Sequence, residues 1–359
     1  MWLATNVPLA SLTTLRLGGP AQEVAVLDDP GDFPELVAAA GRAGSAPRVI
    51  GAGSNLLAAD DGYPGLVVRM ATTGVRLDTS QDDGRVLVTV QAGHDLDALV
   101  AEMVAEGLSG IECLTGIPGT VGATPVQNVG AYGQEVSDTL ANIRAWDWTT
   151  GQETEMIPAH CGLGHRTSVF KHSKRWTILT VTLALTPSKL GPPLTYRAVA
   201  DAAGVPLGEQ VLLDETVAAI RQVRDEKGMI LDSCGSDGRT AGSVFLSPSI
   251  PADTARHLRA EGAPVNDFPD GKTRVSASWL MSAAGFSLGQ RLATGARIST
   301  RHFTLVADDG ATAASFADAA ATVAEQVQRA TGITLTAEPD LLGNLPAYAR
   351  LSPHGNLGF

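Results

Sequence analysis

The sequence is short of the features that mark several large protein classes. Cysteine is scarce, with only Cys113, Cys161 and Cys234 in 359 residues, widely spaced and odd in number. That pattern supports neither a disulfide framework nor a zinc site, so no metal is expected, and it suits a reducing cytosol. No apolar run approaches the roughly 18–20 residues of a membrane-spanning helix. Residues 1–12 carry no positive region and no long apolar stretch, so no secretory leader is expected. Positive charge is also in deficit: 26 Lys and Arg stand against 38 Asp and Glu, a formal charge of -12. A chain this acidic, without a polybasic tract, lacks the basic face that non-specific nucleic-acid binding or an anionic membrane requires. No GxxxxGK[ST] occurs, which argues against a P-loop nucleotidase.

What remains is globular. Hydrophobic residues make up 44% and charged residues 18%, and the length suffices for two or three packed domains. The 39 glycines and 20 prolines cluster. Apolar spacing predicts helices over residues 32–42, 95–106, 215–227, 252–261 and 311–331, with Asp95 as an N-cap and Gly107 as a stop. Strands are predicted at 49–50, 66–68, 86–92, 143–148, 177–185 and 333–336, and residues 187–193 form a loop at a plausible domain boundary. Both periods recur throughout, so the class is α+β or α/β.

Two glycine clusters stand out. Ile50-Gly51-Ala52-Gly53-Ser54-Asn55-Leu56 has two glycines of the dinucleotide fingerprint but Leu56 in place of the third. The denser cluster is Ile117-Pro118-Gly119-Thr120-Val121-Gly122-Ala123-Thr124-Pro125-Val126-Gln127-Asn128-Val129-Gly130-Ala131-Tyr132-Gly133. Such loops either cradle a pyrophosphate on backbone N–H groups or serve as tight turns of an ordinary sheet, and composition leaves both open.

Together these two clusters resemble the UDP-N-acetylenolpyruvoylglucosamine reductase (MurB) family. Leu15-Arg16-Leu17-Gly18-Gly19-Pro20-Ala21, Arg166-Thr167-Ser168-Val169-Phe170-Lys171, Gly242-Ser243-Val244-Phe245 and Ala337-Glu338-Pro339 complete the resemblance in the family's order, over about residues 5–343. The resemblance implies an α+β protein: a two-part FAD-binding domain of the vanillyl-alcohol-oxidase (PCMH) type and a smaller α+β substrate-binding domain. The first would span residues 14–187, with subdomains of about 14–71 and 84–187. Residues 188–208 would be a substrate-covering loop and linker, and 209–343 the substrate domain, returning to the site at its C-terminal end. It further implies FAD as cofactor, NADPH as reductant, and cytoplasmic synthesis of a cell-wall precursor from small-molecule substrates by a monomer.

The implied reaction reduces an enolpyruvyl ether on a UDP-sugar to a lactyl ether. The site therefore needs groups that favour charge developing on the substrate carboxylate, and an acid to protonate the neighbouring carbon. By resemblance, Arg166 supplies the cation, Ser243 the proton and Glu338 a hydrogen bond to the enolate. Ile50, Gly51, Ala52, Gly53, Ser54 and Asn55 would contact FAD. So would Pro118, Gly119, Gly122, Ala123, Thr124, Gln127, Asn128, Gly130, Ala131 and Tyr132. Tyr196, in Leu194-Thr195-Tyr196, matches the tyrosine loop of the family's longer subtype and would cover the UDP-sugar. Lys227 and Arg274 would meet the diphosphate and Ser247 the uridine, although Ser247 stands where the family often has asparagine. His165 stands where the family often has tyrosine, and no role is assigned to it. The competing readings are a flavin-dependent oxidase of the same superfamily and a non-catalytic UDP-sugar or flavin-binding module; Arg166, Ser243 and Glu338 together argue against both.

Overall fold

The computed structural model describes residues 1–352, except residues 233, 269, 293 and 294. Its internal contacts divide the chain into two units. The first comprises Met1–Val7, Ala21–Gly53 and Pro64–Leu231; the second comprises Pro8–Pro20, Ser54–Tyr63 and the chain from Asp232 onward. Residues 188–231 thus cluster with the first unit, and two short early segments cluster with the second. The first glycine cluster is shared, with Gly53 ending a segment of one unit and Ser54 opening a segment of the other.

The first unit carries two sheets. One has four strands, in the order Trp2–Pro8, Pro20–Leu27, Tyr63–Met70, Arg48–Ile50. Arg48–Ile50 pairs in parallel with the strand containing Val67 and Val68, and the connection between the two holds the short strand Leu56–Ala58 and no helix. Helix α1 (Phe33–Ala43) buries Leu36, Ala39 and Ala40 and stops at Gly44, whose φ of 69° is left-handed. The second sheet is antiparallel, in the order Gln152–Met156, Leu140–Asp147, Trp176–Pro187, Val86–Gln91, Val75–Asp78, with Leu108–Ser109 also pairing on Trp176–Pro187. In Val86–Gln91 the alternate residues Val86, Val88 and Val90 are buried, the period-two signature of a strand with one face on the core. That face packs with α2 (Leu96–Ala105), which buries Leu96, Leu99, Val100 and Met103. Asp95 caps α2 by accepting from the Ala98 N–H at 2.9 Å, as the sequence predicts. After the short α3 (Val136–Thr139), helices α4 (Arg197–Ala203) and α5 (Leu213–Glu226) form a smaller core with Cys113 and Leu194.

The second unit is built on α6 (Ala252–Ala260), α7 (Ala277–Ala283), α8 (Ala313–Thr331) and α9 (Pro346–Ala349), with short two-stranded ribbons. Alanine-rich α8 buries Phe316, Ala317, Ala320, Val323, Ala324 and Val327 on one face. Burying Phe316 alone stabilises by about 1.5–3 kcal/mol. Two N–H groups at the start of α8, Ala313 and Ala314, donate to the Asp60 carboxylate at 2.7 and 2.8 Å, which ties an early segment to this unit. The strand predicted at 333–336 does not form. This stretch is irregular, reaches an isolated antiparallel bridge at Ala337, and only Asp340–Leu342 is a strand, parallel to Leu56–Ala58. The apolar alternation at Ile333 and Leu335 reflects burial in the core beside α8 rather than a ladder. Among the described residues no helix is long and apolar enough to cross a membrane.

Candidate active site

The two glycine clusters, distant in sequence, meet in the first unit. A Cβ at Gly51 would lie 2.3 Å from the Thr120 hydroxyl oxygen, so the turn after Arg48–Ile50 runs directly against the second loop. The second loop is fastened to the entry of α2 by backbone bonds: Val121 N–H to His94 O and Gly122 N–H to Ala92 O, both 2.8 Å, and Leu96 N–H to Gly119 O at 3.1 Å. Gly122 is glycine for a packing reason, because its Cβ would stand 2.5 Å from the Ala92 Cβ. Gly53 adopts a left-handed φ of 66°.

Several side chains expected to face a cofactor are committed within the loop itself. Asn128 is 1% exposed, sits at φ 46°, donates to Glu135 at 2.7 Å and accepts from the Ser137 N–H at 3.0 Å. The buried Thr124 hydroxyl donates to Val121 O at 2.8 Å. These bonds stiffen the loop and leave backbone, rather than these side chains, to meet a ligand.

Arg166 is brought to the same loop. Its guanidinium donates to Asn128 O at 3.3 Å and Gly130 O at 3.1 Å. Two residues on, the Ser168 hydroxyl donates to Val126 O at 2.7 Å and accepts from the Phe170 N–H at 3.1 Å. The Arg-x-Ser-x-Phe spacing therefore makes two hooks on alternate carbonyls of one glycine loop, those of Val126, Asn128 and Gly130, and anchors them on buried Phe170. At the end of that loop, Tyr132 meets Tyr196 edge-to-face, with ring centroids 5.5 Å apart. Tyr196 precedes α4 and is 45% exposed. Lys227 follows the last turn of α5 and is exposed. Burial pushes the Cys113 thiol up to about 12 and the Cys161 thiol up to about 11, so neither offers a thiolate at neutral pH.

In the second unit three motifs come together. Residues 244–246 and 336–338 run antiparallel: the Glu338 N–H donates to Val244 O at 2.9 Å and the Leu246 N–H to Thr336 O at 3.0 Å. Ser243 and Glu338 thereby occupy neighbouring backbone positions. Two residues after Glu338, the Asp340 N–H donates to Asn55 O at 3.0 Å, which places the Ser54-Asn55 end of the first glycine cluster beside them. Ser243 is exposed and its hydroxyl has no partner among the described residues, while Thr304 pins the Gly242 carbonyl just before it. Ser247 is exposed. Arg274 is 4% exposed and bonded to Asp270, whose carboxyl that guanidinium holds down at about 2. To meet a diphosphate, Arg274 would have to leave that pairing.

Sequence reading missed the supports of these motifs. Tyr348 on α9 is 1% exposed and donates from its hydroxyl to Pro339 O at 3.1 Å, directly behind Glu338. Asp237 bonds Arg297 and Ser299, both at 2.6 Å, and the Thr300 N–H at 3.0 Å, which fixes the turn leading to Ser243. Burial opposes ionisation there, but these donors prevail and hold the carboxyl at about 2. No local pattern marks such residues; their partners lie far along the chain.

Residues 21–156 match the family model of an FAD binding domain, and residues 233–342 match that of the UDP-N-acetylenolpyruvoylglucosamine reductase C-terminal domain. Among curated relatives, the UDP-N-acetylenolpyruvoylglucosamine reductase of Thermobifida fusca is 42% identical over 351 residues, covering 95% of this chain and 98% of its own. That of Nocardia farcinica is 43% identical over 350 residues, covering 94% and 89%. A solved UDP-N-acetylenolpyruvylglucosamine reductase from Thermus caldophilus shares the fold, with a TM-score of 0.64 at 24% identity over 95% of this chain and 100% of that one.

Proposed function

The chain belongs to the UDP-N-acetylenolpyruvoylglucosamine reductase family, and on that premise we propose that it reduces UDP-N-acetylglucosamine enolpyruvate to UDP-N-acetylmuramate with FAD as cofactor and NADPH as reductant. The setting is peptidoglycan precursor synthesis in the cytoplasm, by a monomer acting on small molecules. The glycine loops fit FAD. They converge at Gly51 and Thr120, and the Thr124 and Asn128 side chains are held inside the second loop, which leaves the approach to the glycines clear of them. Ile50, Gly51, Ala52, Gly53, Ser54 and Asn55 would hold it, together with the loop from Pro118 to Tyr132. When bound, FAD supplies two-electron transfer between NADPH and the substrate's vinyl group.

The protein's own groups manage the charge and the proton. As hydride arrives at the terminal vinyl carbon, negative charge grows on the adjacent carbon and its carboxylate. The Arg166 guanidinium favours that charge, since a planar cation can give two parallel bonds to a carboxylate. Glu338, protonated, donates a hydrogen bond to the same enolate. The Ser243 hydroxyl gives its proton to the carbon bearing the ether oxygen, completing the lactyl group, and is reprotonated from solvent. Tyr196 covers the UDP-sugar, Lys227 and Arg274 meet its diphosphate, and Ser247 its uridine.

The observation that carries this reading is the antiparallel approach that makes Ser243 and Glu338 neighbours beside Asn55. The test is product analysis under anaerobic conditions. The product should be heavier than the enolpyruvyl substrate by two hydrogens, with one NADPH consumed for each. NADPH oxidation that needs oxygen and leaves the UDP-sugar unchanged would overturn the reading.

A further inference from the structure

The reaction as proposed does not use Arg224, yet this residue of α5 carries a buried charge next to Val223 of the first unit's smaller core. It is 9% exposed, and burial works against its charge. Among the described residues no carboxylate bonds it. Instead one terminal nitrogen donates to Gly116 O and Met229 O, both at 3.0 Å. The other side of the same residue is held from α2, where the Asp97 carboxylate accepts from the Gly116 N–H at 2.6 Å and from Thr115 at 3.1 Å. Asp97 is in turn paired with Arg221, one turn before Arg224 on α5. Gly116 opens the second glycine loop, so two helices grip the loop at its root. The same guanidinium is near enough to the Tyr132 phenol, at the loop's far end, to act on it electrostatically. Burial pushes that phenol up and Arg224 pulls against it. Tyr132 is the ring on which Tyr196 rests, and Gly133 lies against Thr195 and Tyr196, where an added Cβ would stand 3.5 and 3.9 Å from them.

We propose that Arg224 is a positioning residue for substrate capture: it fixes both ends of the second glycine loop, and through Tyr132 it sets the seat of Tyr196 over the UDP-sugar. This rests on the reading of Tyr196 as the substrate-covering residue. An arginine suits the task because its fork can hold two carbonyls and an aromatic edge at once, which the point charge of a lysine cannot.

The test uses the flavin-loaded protein and four readouts: FAD per chain, melting temperature, KM against kcat, and calorimetric binding of UDP-N-acetylmuramate. Arg224→Met should keep its FAD yet raise KM and weaken product binding by about tenfold or more, with kcat little changed. Tyr196→Ala should do likewise. The double variant should be no worse than the worse single one, because both act through one contact. Arg224→Lys should recover part of the loss. Tyr132→Phe, which removes only the phenol oxygen, keeps the proposal exposed even if Arg224→Met does not fold: it should weaken product binding and be non-additive with Tyr196→Ala. Unchanged product binding in Tyr132→Phe, losses that multiply in the double variants, or a loss of FAD with product binding intact would overturn the proposal. Wild-type protein that binds no UDP-N-acetylmuramate would instead bring down the substrate reading, and the proposal with it.

Discussion

At the scale of single residues, Ser243 and Glu338 are separated by almost a hundred positions and become backbone neighbours through the bond from Glu338 N–H to Val244 O. Ser243→Ala should separate the two halves of the reaction. Reduction of the flavin by NADPH needs no serine proton and should stay within about twofold of wild type, whereas reoxidation by the enolpyruvyl substrate should slow by about 100-fold or more. Rapid-mixing absorbance checks both, and equal slowing of the two would point to a distorted site. The motifs around Arg166 and Ser243 could be singled out in the sequence because they are long enough to be distinctive, while the roles of the two residues stand as proposals. Asn128 was legible as a member of the loop but not in its part: the sequence cannot say that its amide is spent on Glu135 and Ser137. Gly122 was likewise legible as a glycine, while the Ala92 contact that requires it appears only once the chain is folded.

At the scale of elements, the account turns on how the entry of α2 holds the second glycine loop. Asp95 both caps α2 and forms a bridge with Thr120. Asp95→Ala should cost about 0.5–2 kcal/mol through the lost cap, seen as a lower melting temperature, with a further loss of bound FAD as the temperature approaches the transition. A melting temperature equal to that of wild type would mean that the cap carries no weight there. The amphipathic helices read well from spacing: α1, α2, α5, α6 and α8 lie within two residues of the predicted bounds. The two extra residues at the start of α5 include Leu213, which is buried and extends its apolar face toward the N-terminus. Residues 333–336 were misread because a buried irregular segment shows the same apolar alternation as a strand, and only hydrogen-bond partners tell them apart.

At the scale of the whole molecule, the α+β class and the family were legible in the sequence, whereas the way contacts divide the chain was not. Segment 54–63 joins the C-terminal third through the Asp60 carboxylate at α8 and the parallel pairing of Leu56–Ala58 with Asp340–Leu342. Both are long-range contacts with no sequence period. The central claim is that this chain passes electrons from NADPH to an enolpyruvyl UDP-sugar through FAD, and anaerobic spectroscopy of the purified protein tests it most directly. The oxidised flavin absorbance should bleach on adding NADPH, stay bleached in the absence of acceptor, and return when UDP-N-acetylglucosamine enolpyruvate is added without oxygen. A flavin that bleaches but recovers only when oxygen is admitted would contradict the account.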